Sequence, residues 1–418
     1  MPTSSGGFSQ EFLKDYFETY APVARLNSIR TFLALVTQSG MRVRQGDVPT
    51  AYVKAGLKET IYVRQPKGFE EGSPTSVWRL KKALYGLKQA GYNDDSVLAD
   101  MMTASKEKYG VKDLGDVNWF LGIHVQIDHE KGITTLDQVQ YTEEVLRRFG
   151  MSECRPRKIP MDKGVILYKR SEDEEAAGEV PYRQAVGALL YLARVTRPDI
   201  AFAVNQVAAQ ASDPSKFHWM AVKNILRYLE GTKHFGIVYR RNPEAPRVSV
   251  FTDADWANDE EGRKSISGVM VFVSGCLVHW NTKRQRLVSK SSTIAEYIAA
   301  DDAVEEARWT QMLVTRLLNA EPTSPIPTMI DNKSTIDRLT NGKNSEAQKT
   351  IDCKFFSIRE AINARELELK YCPTNIMLAD GLTKALPTTR FRELRKAIGL
   401  TSLSTTSHTG GEVLEQPL

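Results

Sequence analysis

Residues 248 to 259 read VSVFTDADWAND. Val248, Val250 and Phe251 make the start of an apolar strand, yet the run carries on directly into Asp253 and Asp255. A carboxylate held inside an apolar strand is costly unless a cation meets it. C-terminal to it, SISGVMVFVSG (265–275) and CLVHWNTKRQRLVSKSS (276–292) supply two more strands separated by turn residues, an antiparallel start to a mixed sheet. TIAEYIAADDAVEEARWTQMLVTRLL (293–318) is the long helix, TMIDNKSTIDRL (328–339) a strand passing into a helix, and LELKYCP (367–373) a further strand.

Within that order the acids fall in awkward places. Asp331 ends the strand TMI just before a helix. Glu296 begins a helical face that continues through Ala300, Ala303, Val304 and Ala307, all small and apolar, so the face and its carboxylate turn toward the sheet. Each acid alone also fits a surface residue or a helix cap. Together, on strand, helix and strand, they form a set suited to hard cations, which take oxygen ligands. Two such ions about 3.5–4 Å apart activate water and stabilise the leaving oxygen in phosphodiester cleavage.

The surrounding chain has 418 residues, 41% hydrophobic and 26% charged, enough for two or three domains of ordinary composition. No apolar run reaches the ~20 residues a spanning helix needs and the N-terminus lacks a signal-peptide pattern, so an intracellular protein is expected. Cys154, Cys276, Cys353 and Cys372 are scattered without a C-x-x-C pair, which points to reduced core residues rather than a zinc site or a disulfide framework. A net charge of +5 and a pI near 8.8 fit an anionic partner and equally fit simple solubility.

Towards the N-terminus, SIRTFLALVTQSGMRV (28–43) reads as a helix feeding a strand, VRQGDVPTAYVKAGL (43–57) as a strand running through Asp47 into a turn, and TIYVRQPKGF (60–69) as a strand stopped by Pro66 and Gly68. VNWFLGIHVQIDHEKGITTLDQ (117–138) alternates like two strands joined at Glu130-Lys131-Gly132, and YTEEVLRRFG (141–150) is a helix with a glycine after its end. An acidic run from Glu172 to Glu175 precedes a helical region broken at Pro198. In SKFHWMAVKNILRYLEGTKHFGIVYRRN (215–242), Lys216, Lys223, Arg227, Lys233, Arg240 and Arg241 interleave with Phe217, Trp219, Tyr228 and Phe235, a pattern that either follows a phosphate backbone or is a solvated basic helix face over aromatic core contacts. Lys283, Arg284 and Arg286 are expected in a loop that can touch the same ligand.

FTDADWAND, KSSTIAEYIAA, IDNKSTI and ADGLTK resemble, in order and context, the ribonuclease H domain of Ty1/copia-type retrotransposon polyproteins, over residues 246 to about 388. The resemblance implies that Asp253, Glu296, Asp331 and Asp380 are catalytic metal ligands, for Mg²⁺ or Mn²⁺, in a site that cuts RNA within RNA–DNA hybrids. One departure is visible. The family pattern has His and Tyr where this chain reads TIDCKFFSIRE, with Thr350, Phe355 and Phe356, so reduced cleavage is expected.

YAPVARLNSIR, WRLKKALYGLKQAG, YGVKDLGDVNWFLGIHV and YRQAVGALLYLARVTRPDIAFAVN resemble the reverse transcriptase and connection of the same polyproteins. By that likeness Asp47 is the first metal-binding aspartate of the polymerase, with Val48 lending its backbone near the nucleotide. Tyr92-Asn93-Asp94-Asp95 has the letters of the polymerase's catalytic hairpin but not its setting. A hairpin needs an apolar strand on each side, whereas LKQAG precedes it without alternation and SVLADMMTASKEKYG follows with helical spacing, Asp95 or Ser96 serving as N-cap. An internal segment holding the true hairpin is therefore expected to be missing, and the polymerase to be inactive.

The expected fold is α+β to α/β and multidomain: a truncated reverse transcriptase of fingers and palm at 8–150, a helical connection at 151–245 with a boundary near Pro243 and Pro246, an RNase H-like mixed five-stranded sheet with flanking helices at 246–390, and a disordered tail at 401–418. Met1 falls in the interior of what the family carries as a polyprotein, so a Pol fragment is expected, in a cytoplasmic particle or the nucleus, bound to RNA–DNA hybrid or other nucleic acid and to no membrane. The competing readings are a catalytically silent relic that at most binds nucleic acid, and a polymerase that uses Asp94 and Asp95 in a rearranged palm.

Overall fold

The computed structural model describes residues 25–47, 62–64, 77–79, 112–256, 263–322, 325–341 and 352–403. Two units divide the chain, one of Met1–Arg25 with Val43–Val117, the other of Leu26–Arg42 with Asn118–Leu418. The described part of the smaller unit holds two antiparallel pairs, β1 (Arg44–Asp47) with β4 (Lys112–Asp116) and β2 (Tyr62–Arg64) with β3 (Val77–Arg79).

The larger unit begins with α1 (Leu26–Ser39) and continues through β5 (Trp119–Phe120), β6 (Ile123–Asp128), β7 (Ile133–Asp137), α2 (Val139–Arg148), α3 (Tyr182–Val195), α4 (Ala201–Ala209), α5 (Lys216–Glu230) and β8 (Phe235–Arg240). Next come β9 (Val248–Asp255), β10 (Ile266–Val273), β11 (Cys276–Arg284), α6 (Ser292–Leu318), β12 (Ile326–Ile330), α7 (Lys333–Asn341), α8 (Asp352–Asn363) and β13 (Leu367–Tyr371). A one-turn helix α9 (Asp380–Thr383), then α10 (Thr388–Ala397) and β14 (Leu400–Ser402), complete it.

One sheet of the larger unit is antiparallel throughout, in the order β14-β8-β7-β6-β5. Its β6–β7 hairpin turns at Gly132, whose φ of 62° is open to glycine at little cost, while the Lys131 amide donates to Asp128 Oδ1 at 2.9 Å. The other sheet is mixed, in the order β11-β10-β9-β12-β13, with β11, β10 and β9 antiparallel and β12 parallel to both β9 and β13. Every residue of β10 is buried, as a strand covered on both faces requires.

The N-terminal helix α1 belongs to this unit, packing on β11, α6 and β7. Its Arg30 is buried and donates to the carbonyls of Arg194 and Val195 at 3.0 and 2.9 Å, while Trp280 of β11 donates to Ala193 O at 2.7 Å. These are the last carbonyls of α3, orphaned by the end of the helix. The Arg30 guanidinium also lies 3.8 Å from the Trp280 ring centroid, so three distant segments share one contact.

The break at Pro198 is a short 3₁₀ turn, Pro198–Ile200, between α3 and α4. Beside it a buried Arg197–Asp199 ion pair at 2.8 Å is completed by the Tyr228 hydroxyl, which donates to Asp199. Residues on both sides of the expected divisions at 150 and 245 fall in the larger unit, with Pro243 and Pro246 in the link between β8 and β9. Leu400–Ser402, at the start of the expected tail, pair with β8 as an edge strand, and residues 404–418 lie outside the described residues. Backbone pairing at Leu400–Ser402 overrides the Ser/Thr-rich composition that suggested disorder.

Candidate metal centre

Asp253 is the sixth residue of β9, the central strand of the mixed sheet. The parallel register pairs Thr328 with Val250 and Met329 with Phe251, and two steps further along the same register Asp331, just past the end of β12, comes opposite Asp253. Asp380 opens α9, which packs on β9 and β10. That approach depends on Gly268, the β10 partner of Asp253: a Cβ there would sit 2.8 Å from Thr383 Cγ2 and 2.9 Å from Ala379 O. Carboxylate oxygens of Asp253, Asp331 and Asp380 consequently lie within 4.8 Å of one another.

Glu296 reaches the same region from α6, buried, with Oε1 accepting the Ala254 amide at 3.3 Å. Its Oε2 is buried without a hydrogen-bond partner. Each of the three aspartates has one oxygen engaged by a different group of the protein. Thr383 Oγ1 donates to Asp253 Oδ2, Thr374 Oγ1 donates to Asp331 Oδ2 at 3.0 Å, and Lys384 Nζ lies 2.9 Å from Asp380 Oδ1.

Burial and mutual repulsion raise all four acids. Asp253 is pushed up to about 6, first by burial and then by the charge of Asp380. Glu296 is raised well above its ordinary value by burial and by Asp253 and Asp331. Burial also raises Asp331 and Asp380, against the lowering pull of the Lys384 ammonium. Full ionisation of this cluster needs more positive charge than one lysine brings. Oxygen donors alone, close together and including a buried carboxylate oxygen without a partner, fit a hard divalent cation.

Asp47 lies in the smaller unit, at the exposed end of β1 opposite Lys112. Val48, Tyr92 to Asp95 and Thr350 lie outside the described residues, as does the side chain of Phe355, while Phe356 is exposed on α8. The basic residues are partly drawn into internal contacts. Arg227 Nε donates to Arg155 O at 2.8 Å, Lys233 pairs with Glu230 at 2.9 Å, Lys283 pairs with Asp302 at 3.0 Å, and Arg241 Nε donates to Thr37 O at 3.4 Å. Lys223 is half-buried on α5, and Arg240 and Arg284 are exposed at the ends of β8 and β11; Lys283 and Arg284 thus belong to a strand paired with β10 rather than to a loop, and only Arg286 of the three falls past its end. Sequence reading missed Gly268, Thr374, Thr383 and Lys384. The last two stand three and four residues after Asp380 within ADGLTK, a spacing that returns them to its side of a helical turn.

A sheet in this order, with acids brought together from its two central strands and an adjoining turn, defines an RNase H-like fold. The reverse transcriptase (RNA-dependent DNA polymerase) family model matches residues 3–106 and 93–163, in two pieces. The Pol polyprotein of transposon TNT 1-94 from Nicotiana tabacum is 33% identical over 450 residues, covering 95% of this chain and 34% of that protein. Its counterpart from transposon RE2 of Arabidopsis thaliana is 30% identical over 442 residues, covering 94% and 30%. An uncharacterised mitochondrial protein of Arabidopsis thaliana is 36% identical over 201 residues, covering 48% of this chain and 81% of its own length. Among solved structures, LC11-RNase H1 overlaps 33% of this chain and 92% of its own, at 18% identity and a TM-score of 0.26.

Over 94–95% of its length the chain is similar to a stretch of the retrovirus-related Pol polyproteins of plant transposons, and its N-terminal part matches the reverse transcriptase family. It spans about a third of the length of the curated Pol relatives it matches.

Proposed function

We propose that this chain is a retrotransposon-derived nuclease that cleaves the RNA strand of RNA–DNA hybrids, attached to an inactive reverse transcriptase remnant. The convergence of Asp253, Asp331 and Asp380 within 4.8 Å carries the nuclease reading. Asp253, Asp331 and Asp380 would hold Mg²⁺ or Mn²⁺, with Glu296 beside them. Bound there, divalent cations polarise a phosphodiester and lower the pKa of the attacking water. The chain's own contribution is position: two adjacent parallel strands set Asp253 and Asp331 side by side, and Gly268 admits the turn that brings Asp380.

Three observations support a dead polymerase. The match to the tobacco polyprotein runs over 450 aligned positions but takes in 95% of 418 residues, about 397, so some 50 positions of the relative have no counterpart here. The family model matches in two pieces that meet at residues 93–106, where the setting of Tyr92 to Asp95 is wrong for a hairpin. Asp47 alone is too few ligands for a two-ion polymerase centre.

In this reading residues 8–150 are the polymerase remnant, 151–245 the connection and 246–390 the nuclease, while Lys223, Arg227, Lys233, Arg240, Arg241, Lys283 and Arg284 are contacts to nucleic acid. An intracellular site, in a cytoplasmic particle or the nucleus, goes with it. Among the described residues no helix is long and apolar enough to cross a membrane. The test is cleavage of a hybrid labelled on its RNA strand, with Mg²⁺, beside Asp253→Asn/Asp331→Asn. Cleavage lost in the double variant supports the nuclease. Absence of cleavage by folded wild-type protein leaves a silent relic, and template-directed extension abolished by Asp94→Asn overturns the dead polymerase.

A further inference from the structure

The three aspartates differ in what holds them. Asp253 and Asp331 accept from neutral hydroxyls, those of Thr383 and Thr374, while Asp380 is met by a full charge, the Lys384 ammonium at 2.9 Å from Oδ1. Lys384 follows Asp380 by four residues, so its side chain folds back over a single turn, and its charge acts on Asp253, Glu296 and Asp331 as well. The side chain of Asp380 is 5% exposed and that of Lys384 36%, so the ammonium has a way out to solvent that the carboxylate lacks.

We propose that Lys384 is a resident counter-cation of the metal-free centre, a positioning residue that holds Asp380 in place until a divalent ion displaces the ammonium toward solvent. This rests on the nuclease reading of the same cluster. A divalent ion approaching Asp380 must contest one of its oxygens with a positive charge already seated there. Removing that charge while keeping the aliphatic stem lifts the repulsion and strengthens metal binding, on the order of tenfold at the effective dielectric of a partly exposed site. The ammonium meanwhile limits carboxylate repulsion when no metal is bound, and that part of its role needs no metal to observe.

Mn²⁺ binding to the full chain, followed by electron paramagnetic resonance of the free ion, is compared for wild type, Lys384→Met and Lys384→Arg. The expected result is roughly tenfold tighter binding by the Met variant, with Arg close to wild type. Equal or weaker binding by the Met variant overturns the proposal and leaves the nuclease reading intact. A second measurement needs no substitution at Lys384: acetic anhydride labelling of that amine in wild type, read by mass spectrometry, rises as Mn²⁺ is added if the ammonium is displaced. Unchanged labelling on a loaded protein overturns the proposal. If wild type and the Met variant both fail to bind Mn²⁺, the nuclease reading falls. The counter-cation role is then decided without metal, because Asp380→Asn must raise Lys384 labelling, and labelling that stays the same overturns it.

Discussion

Gly268→Ala is a one-methyl change expected to damage both the fold and the metal centre. The added Cβ meets Thr383 Cγ2 at 2.8 Å, Ala379 O at 2.9 Å and Leu382 Cβ at 3.0 Å. A backbone carbonyl in that set cannot swing aside as a side-chain tip would, so β10 and α9 must separate. Overpacking of this kind typically costs about 1–3 kcal/mol. Separation moves the turn carrying Asp380 and Thr383 away from Asp253, so Mn²⁺ affinity should fall along with stability. Gly187→Ala is the internal control with the opposite sign. Gly187 sits in α3 with nothing within 4 Å of its added Cβ, and alanine there should stabilise by about 0.4–1 kcal/mol through a less flexible unfolded chain. Urea unfolding midpoints and Mn²⁺ titrations of both variants check the pair. A Gly268→Ala protein as stable as wild type, binding Mn²⁺ equally well, would refute the claim that bare backbone admits α9.

Arg30→Met removes two bonds to helix-end carbonyls and a stack on Trp280, but also relieves a charge whose burial lowers its pKa to about 10. Hydrogen bonds from a charged group bring about 1.5–3 kcal/mol each; after that relief a net loss of about 2–4 kcal/mol is expected, and no loss in urea unfolding would mean that α1 does not secure this unit. Asp199→Asn leaves Arg197 buried without its counter-charge and should cost about 3–5 kcal/mol, read by the same unfolding curves. In EDTA, stability should fall as pH rises from about 4 towards 6 and beyond, because an acid whose folded pKa is raised, such as Asp253 at about 6, contributes fully only below its unfolded value. Mg²⁺ should flatten that decline and Asp253→Asn should reduce it; a thermal-melting series across pH with the same slope in all three conditions would count against a metal centre.

The strands and helices around the candidate centre could be read along the chain because their signals are local. Alternation in VSVF, turn residues between the next strands and a small-residue face after Glu296 need no knowledge of what lies far off. Asp253, Asp331 and Glu296 also stood out locally, as charges awkwardly placed in apolar surroundings, whereas Asp380 was marked only by the resemblance of ADGLTK to the RNase H pattern. Local signals likewise carry the mismatch at Tyr92 to Asp95, since a hairpin without flanking strands is a contradiction within one window of sequence. Register and long-range contact are different in kind. Only parallel pairing of β9 with β12 puts Asp331 across from Asp253, and only the close passage of α9 over Gly268 brings Asp380, Thr383 and Lys384 to them. Placement of α1 against β11, and of β14 beside β8, rests on surfaces hundreds of residues apart in sequence for α1 and well over a hundred for β14. Which residue meets a buried charge depends on distances set by packing, and one stretch of chain cannot express a distance to another.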